Sequence, residues 1–526
     1  MSSNRFWALT LGLALAGAGL FAPARSALAC GGFFCSANAP VNQAAERIIF
    51  AKNADGSVTA VVQIQYSGPS ENFAWVLPVP GIPEVKVSSD LAFRRLQQAS
   101  NPQYITTQVV EGVCDSGFLA PQGSTDSGGG GTGGGGGSSG GGVTVLASGN
   151  VGPYDFVVIQ PEASSATIGA VAVDWLTNEG YDVVPPGGDP MAISTMLGSY
   201  LQGGMNLLAF RLTKGNSTGT IRPVRITYPT ELPMIPIRPT AVAANDDMGV
   251  MVWVLGEARA IPVNYRSLEL NEALIDWPRF GANYNQVVVA AADEAGGQGF
   301  VTERAGPASD YQDTVVLPFE RDDWGALSMS ADSLTSAELL VQSAWMFSAW
   351  DGYADVAERY LPDGVLIENF LNCPNCEQDL LAEAIDKEAF LDDLALDVVE
   401  PMLETQALLS SRPYVTRLYT TLSAPEMDLD PLFDFNSDLG DASNVHNATQ
   451  VVECAPGLTM AEVPSRFVLE DGRVVRVAPG APWPFNPGAT EALPANSAIL
   501  QLSTSGDGEI LRNNAAAIDA LLARHN

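Results

Sequence analysis

The chain has 526 residues, 46% of them hydrophobic, with 51 Gly and 35 Pro, which places it among loop-rich globular proteins rather than disordered or fibrous ones. Its formal net charge of -34, from 26 Lys and Arg against 60 Asp and Glu, argues against nucleic acid as a partner and against attraction to anionic membrane surfaces. Only 16% of residues are charged and no Lys or Arg lies between Arg95 and Arg211, so the imbalance reflects few bases; it permits divalent cations or basic partners but reads first as a solubility device.

The N-terminus reads as a secretory signal peptide over residues 1–29: a head with Arg5, an apolar run over residues 6–21, and the small-residue triplet Ala27-Leu28-Ala29 directly before Cys30. The run is broken by Gly12, Gly17 and Gly19 and then by Pro23, and no later stretch reaches the roughly 20 apolar residues of a membrane span. No membrane span is therefore expected, and loss of Arg5 and Arg25 without any acid takes the mature charge from -34 to -36. A rival reading makes Cys30 a lipid-modified first residue, although Leu28 stands one place late for such a site and Ala27 holds the position where leucine is favoured.

From residue 47 to 80 the segments RIIFA, SVTAVVQIQY and FAWVLPVP, separated by turns at Asn53-Ala54-Asp55-Gly56 and Gly68-Pro69, predict a β-meander. A short helix DLAFRRLQQA follows, capped by Ser88 or Ser89, and then a strand YITTQVV leading to Cys114. The Gly, Ser and Thr run at 122–142 lies between two strand-like segments and is expected to be an inserted loop, since lengthening a surface loop costs only about 0.6 kcal/mol per doubling. Beyond it come strands VTVLA and YDFVVIQ, then a helix with Ile168, Val171, Ala172, Trp175 and Leu176 on one face and Gly180 as its stop. Further strands NLLAFRLT, TIRPVRITYP and GVMVWVLG precede a stretch over 336–409 that is rich in Ala, Leu and Glu and predicts helices. The tail returns to a hairpin, RFVLEDGRVVRVAP turning at Asp471-Gly472, and closes with a helix expected from Glu509 to Arg524.

The fold class is accordingly α+β: a predominantly antiparallel β-sheet N-terminal region with packed helices, a mainly helical segment, and a short β/α tail. The expected divisions are a sheet-rich domain at 30–330, a helical segment at 331–425 and a tail region at 426–526.

Six cysteines in an exported chain read first as disulfides. Fifteen pairings are possible; pairing the neighbours Cys30 with Cys35 and Cys373 with Cys376 leaves Cys114 with Cys454 as the bridge that constrains most of the chain. C-x-x-C at Cys373 and Cys376 also sits between a strand-like GVLIENFL and a helical EQDLLAEAI, the local layout of a thioredoxin-like redox centre, but Glu377 and Asp379 flank it and a structural bridge is preferred. GNSTG fits G-x-S-x-G literally, yet a strand rather than a helix follows, which makes Ser217 a turn residue. His446 and His525 are the only histidines, and His446, in the polar stretch SNVHNATQ, reads as a solvated loop residue. In DFNSDLGD, Asp434, Asn436 and Asp438 match the first ligands of a calcium loop, but Leu439 occupies the glycine position and Val445 that of the closing Glu. No catalytic, cofactor-binding or metal residue is therefore assigned.

The blocks CGGFFCSANAPVNQAAERIIFA, QIQYSGPSENFAWVLPVPGIPEV, VGPYDFVVIQ with DWLTNEGY, DEAGGQGFVTERAG and YVTRLYTTLSAPEMDLDPLF resemble the bacterial domain of unknown function 2330 family, from residue 30 to about 435. The resemblance implies export and one architecture spanning the glycine loop; it brings no activity, ligand or catalytic residue. Family members tend to carry C-x-P-C where this chain has CPNC, a departure that weakens any shared chemistry at that pair.

The function expected from the sequence is that of an exported envelope, periplasmic or secreted protein, a non-catalytic scaffold or binding module for an unknown ligand or envelope protein. The alternative is an exported enzyme, either a thiol oxidoreductase using Cys373 and Cys376 or a carboxylate-dependent hydrolase. Intact-mass measurement of the native mature protein is expected to show cleavage after Ala29 with Cys30 unlipidated; acyl mass on Cys30 would place the protein on a membrane surface instead.

Overall fold

The computed structural model describes residues 33–34, 42–67, 74–115, 143–162, 166–181, 183, 189–212, 219–220, 222–242, 244–381, 383–487 and 493–526. The expected signal segment at 1–29, Cys30, Cys35, the glycine-rich run at 122–142 and Ser217 lie outside them.

The strands Asn42–Lys52 and Ser57–Ser67 pair antiparallel across a turn in which Gly56 takes φ +85°. In the first of them successive side chains serve two cores: Ile48 and Phe50 point one way, Ile49 and Ala51 the other, and all four are buried. A strand buried on both faces belongs at the centre of a layered structure. Its other neighbour is Ala244–Gly256, parallel to it, followed across the sheet by Tyr414–Leu422, Gly299–Pro307, Arg266–Leu270, Asn496–Gln501 and Glu509–Asn513. On the Ser57–Ser67 side the sheet continues through Val224–Pro229 to Glu84–Val87, with Gly219–Thr220 also on Ser57–Ser67, giving eleven strands in a mainly antiparallel sheet.

One face of this sheet packs against a second, five-stranded antiparallel sheet in the order Phe33–Phe34, Ala74–Pro80, Met205–Leu212, Tyr154–Pro161, Val143–Val151. Helices Ile168–Asn178 and Pro190–Gln202 cover the outer side of the smaller sheet through Ala172, Leu176, Ile193 and Leu197. They approach so closely that a Cβ on Gly169 would meet the Ser194 carbonyl oxygen at 1.8 Å. The opposite face of the large sheet carries helix Asp90–Ser100 and the helices between Pro318 and Leu409. The result is four layers, helix, sheet, sheet, helix, and the class is α+β. A third core lies to one side, where the sheet of Gln103–Glu111, Val445–Glu453, Ser465–Leu469 and Val474–Val477 packs with helices Tyr284–Glu294 and Ala515–His525 around Trp277 and Trp483.

The expected meander fails at its third strand. Ala74–Pro80 pairs with Met205–Leu212 in the smaller sheet, where its successive residues Val76 and Leu77 face two different cores, while Val224–Pro229 takes the place beside Ser57–Ser67 in the large sheet. The strands on either side of Ser217 also belong to different sheets, so no hairpin joins them. The last helix starts at Ala515 rather than Glu509, since Glu509–Asn513 pairs along the large sheet. Strands from both sides of the expected divisions at 330/331 and 425/426 stand side by side in that one sheet.

Two buried arginines fasten helix Asp90–Ser100 to the sheet. Near its start Arg47 donates to Asp90 at 3.1 Å and to Gln97 at 2.9 Å. At its end Arg417 donates to the Gln97 carbonyl, Ser100 Oγ and Asn101 Oδ1 at 2.9–3.1 Å, and its Nε lies 2.5 Å from Glu303 Oε2. Both Arg417 and Glu303 are buried. Arg417→Leu strands the Glu303 carboxylate and is expected to cost about 3–5 kcal/mol, read as a lower urea midpoint, whereas the double variant Arg417→Leu/Glu303→Leu recovers part of that loss.

Candidate functional site

Where the two sheets face each other the packing leaves a cavity of about 370 Å³. Ile48, Phe50, Ala60, Val62 and Ile226 of the large sheet form one wall and Leu77 and Val79 of the smaller sheet the other. The mouth is made by half-buried Met205, Leu232, Met234 and Pro236, with Leu432 beside them. Glu46 and Glu231 are the only charged residues of the lining. Residues 229–239 carry Pro229, Pro233, Pro236 and Pro239, which lack the N–H a continuing strand needs, so the chain leaves the sheet and crosses the mouth. That crossing is pinned by a bridge from Met234 to Leu432, by the Arg238 N–H on Asp430 at 3.1 Å, and by the Tyr200 hydroxyl on Asp430 at 2.6 Å. Burial raises the Asp430 carboxyl, and the bonds from Tyr200 and Arg238 oppose that rise.

A second pocket, about 240 Å³, opens at the other half of the large sheet. His446 stands on strand Val445–Glu453 in register with Tyr104, whose ring stacks on the imidazole at 4.8 Å and 18°. The His446 Nδ1 lies 2.6 Å from Glu272 Oε1, on a turn capped by the Asn271 side chain. Glu303 reaches the pocket because the pairing of Gly299–Pro307 shifts between Thr302 and Arg304, a bulge that re-aims its side chain; it accepts the Tyr284 hydroxyl at 2.6 Å. Burial pushes the Glu303 carboxyl up while Arg417 pulls it down, with the upward push prevailing. Burial likewise raises the hydroxyls of Tyr104 and Tyr284, reinforced for both by the Glu303 charge and for Tyr104 also by Glu272. Arg259 brings a guanidinium to the same wall.

His446 is thus a strand residue with two defined neighbours, not a solvated loop residue. Sequence reasoning missed it because Tyr104 and Glu272 are remote in the chain, and the polar letters around it gave no periodicity. Asn436 is spent as a buried brace, donating to the Ser503 and Gly506 carbonyls at 2.7 and 2.8 Å, while Asp438 accepts the Gly506 N–H. Among the described residues no group of three or more His, Cys, Asp or Glu is gathered to hold a metal, and no helix is long and apolar enough to cross a membrane.

Cys373 and Cys376 are joined in a disulfide, as are Cys114 and Cys454. The first pair follows the short helix Ile367–Asn372 rather than a strand, and the next helix begins only at Lys387. Cys373 stands between the end of that short helix and a single 3-10 turn, Pro374–Cys376, rather than at the start of a long helix, so the layout expected of a redox centre is not the one present. The Cys114–Cys454 bond closes the end of the parallel pair Gln103–Glu111 and Val445–Glu453. There Gly112 takes φ +87°, and a Cβ would meet the Cys454 carbonyl oxygen at 2.4 Å.

A helix-flanked double sheet enclosing an apolar cavity makes the chain a layered α+β protein. Residues 23–335 match the domain of unknown function 2330 family, described as an uncharacterized protein conserved in bacteria, and the chain belongs to that family. The match stops at 335, short of the 435 expected from the sequence blocks; it includes every cavity-lining residue but Leu432 and excludes His446. No curated protein and no solved structure matches the chain.

Removing the bridge that closes a separation of 340 residues, as Cys114→Ser/Cys454→Ser, is expected to cost roughly 5 kcal/mol, against about 2 kcal/mol or less for Cys373→Ser/Cys376→Ser. Urea unfolding of the two double variants measures the difference.

Proposed function

We propose that the protein is exported and acts as a binding protein, its inter-sheet cavity holding a small, uncharged apolar ligand without catalysis there. The observation that carries this reading is the inter-sheet cavity: about 370 Å³, walled mainly by apolar side chains from two sheets, and within the size range of small-molecule sites. At about 30 Å³ per non-hydrogen atom it takes a ligand of roughly 12 such atoms. At about 0.5 kcal/mol per atom that gives about 6 kcal/mol, a Kd of tens of micromolar. Glu46 and Glu231 disfavour an anionic head group, since a second negative charge there would be desolvated beside the first. Methionines at the mouth, Met205 and Met234, can repack around ligands of different shape. Export is supported by the leader at 1–29 and by the long-range Cys114–Cys454 bond, of a kind that persists in oxidising compartments.

The test uses 1-naphthylamine, a neutral fluorophore that fits within the roughly 12 non-hydrogen atoms the cavity takes. Titration into the mature protein is expected to give saturable fluorescence enhancement, reduced about tenfold or more in affinity by Ala60→Phe or Val79→Phe, which fill the cavity from opposite walls. Absence of saturable binding, or equal binding by both folded variants, overturns the reading.

A further inference from the structure

We propose that the pocket around His446 is a second site, separate from the inter-sheet cavity, in which His446 is a general base that hydrolyses small uncharged esters and Glu272 is its positioning residue. A carboxylate can only accept, so in the neutral imidazole the 2.6 Å contact places the proton on Nδ1 and leaves the lone pair on Nε2. Among the described residues Nε2 has no hydrogen-bond partner, although the ring is part of the pocket wall. The plane of the ring is fixed by Tyr104, stacked on it at 4.8 Å and itself held edge-on by Trp277 at 5.2 Å. A base held in one tautomer and one orientation, beside a pocket rather than against packed protein, has the arrangement that proton transfer requires and structural packing does not.

The remaining wall sets the substrate class. With Glu303 held by Arg417, Glu269, Glu272 and Asp507 still outnumber Arg259, so an anionic substrate is repelled. Arg259 donates one arm to the Gly440 carbonyl at 3.1 Å, and its Nε has no hydrogen-bond partner among the described residues. It supplies positive charge where a carbonyl oxygen becomes negative. In the reaction, water's oxygen bonds to the acyl carbon as its proton passes to Nε2, and the carbonyl π pair moves onto the oxygen. Collapse re-forms the carbonyl and breaks the bond to the alcohol oxygen, which takes the proton back from the imidazolium. Ester and water become carboxylic acid and alcohol, with no other reactant.

The chain's two histidines make the test clean. With 4-nitrophenyl acetate and the mature full-length protein at neutral pH, His446→Ala is expected to lower the rate about 100-fold or more, and added imidazole to restore part of it. Glu272→Gln, which no longer fixes the tautomer, should lose about tenfold or more, and His525→Ala nothing. A solvent deuterium isotope effect of roughly twofold should accompany the wild-type reaction, and that measurement needs no variant to fold. Equal rates for wild type and His446→Ala, a loss that imidazole leaves unrepaired, or no isotope effect overturns the proposal. None of these outcomes bears on the apolar cavity.

Discussion

Arg417 imposes the demand that most of the molecule is arranged to meet. Its guanidinium is buried in the middle of the large sheet, with five N–H groups that water cannot reach. Helix Asp90–Ser100 ends at that point because its last turn offers the Gln97 carbonyl and Ser100 Oγ, and the following Asn101 offers its side-chain oxygen. Ser100 Oγ also accepts the Trp253 indole N–H at 3.0 Å, and the guanidinium lies over the Trp253 ring at 5.4 Å. Glu303 can supply the counter-charge only through the bulge that turns it inward. The Glu303 carboxylate is therefore shared: one side satisfies the core and the other forms part of the His446 pocket. Because the strand carrying Tyr104 starts directly beyond Asn101, fixing the helix end also fixes the ring that stacks on His446.

The inter-sheet cavity arises from a different constraint. The inner faces of both sheets are apolar, and two twisted sheets can close completely only if the connections at their edges let them. Here the prolines of 229–239 prevent the chain from extending Val224–Pro229 and send it across the opening instead. Tyr200 and Arg238, both bonded to Asp430, hold that crossing against helix Pro190–Gln202 and the segment before Leu432. The mouth is thus fastened by polar bonds outside the apolar lining, so the space behind it stays unfilled without leaving the lid loose.

Elements with strong periodicity were legible from the sequence, and their partners were not. RIIFA reads as a strand, and the amphipathic face of Ile168, Ala172, Trp175 and Leu176 reads as a helix, because each pattern is local. AWVLPVP also reads as a strand, but whether it joins the large or the small sheet depends on residues more than a hundred positions away. GVLIENFL misleads through its β-branched Val365 and Ile367; a two-turn helix wins there because it seats Phe370 in the helical core. The cysteines of 373 and 376 therefore lost the context that made them suggestive. Of the two sites, the cavity leaves no mark on the sequence beyond prolines that read as loop, and the pocket joins residues 104, 272, 303 and 446, none of which is a neighbour of another in the chain.

The charge imbalance acquires a physical meaning once the cations are located. Arg47, Arg95, Arg225, Arg304, Arg417, Arg466 and Arg473 each hold a named carboxylate, several of them between elements far apart in sequence. Each such pair takes one acid with its base, so the excess of 60 Asp and Glu over 26 Lys and Arg stays on the remaining charged groups. The exterior field is then negative over both openings, in the same sense as Glu46 and Glu231 at the cavity and Glu269 and Asp507 at the pocket. A field that disfavours anions is consequently not something either opening has to build alone: it follows from a composition of 60 acids against 26 bases.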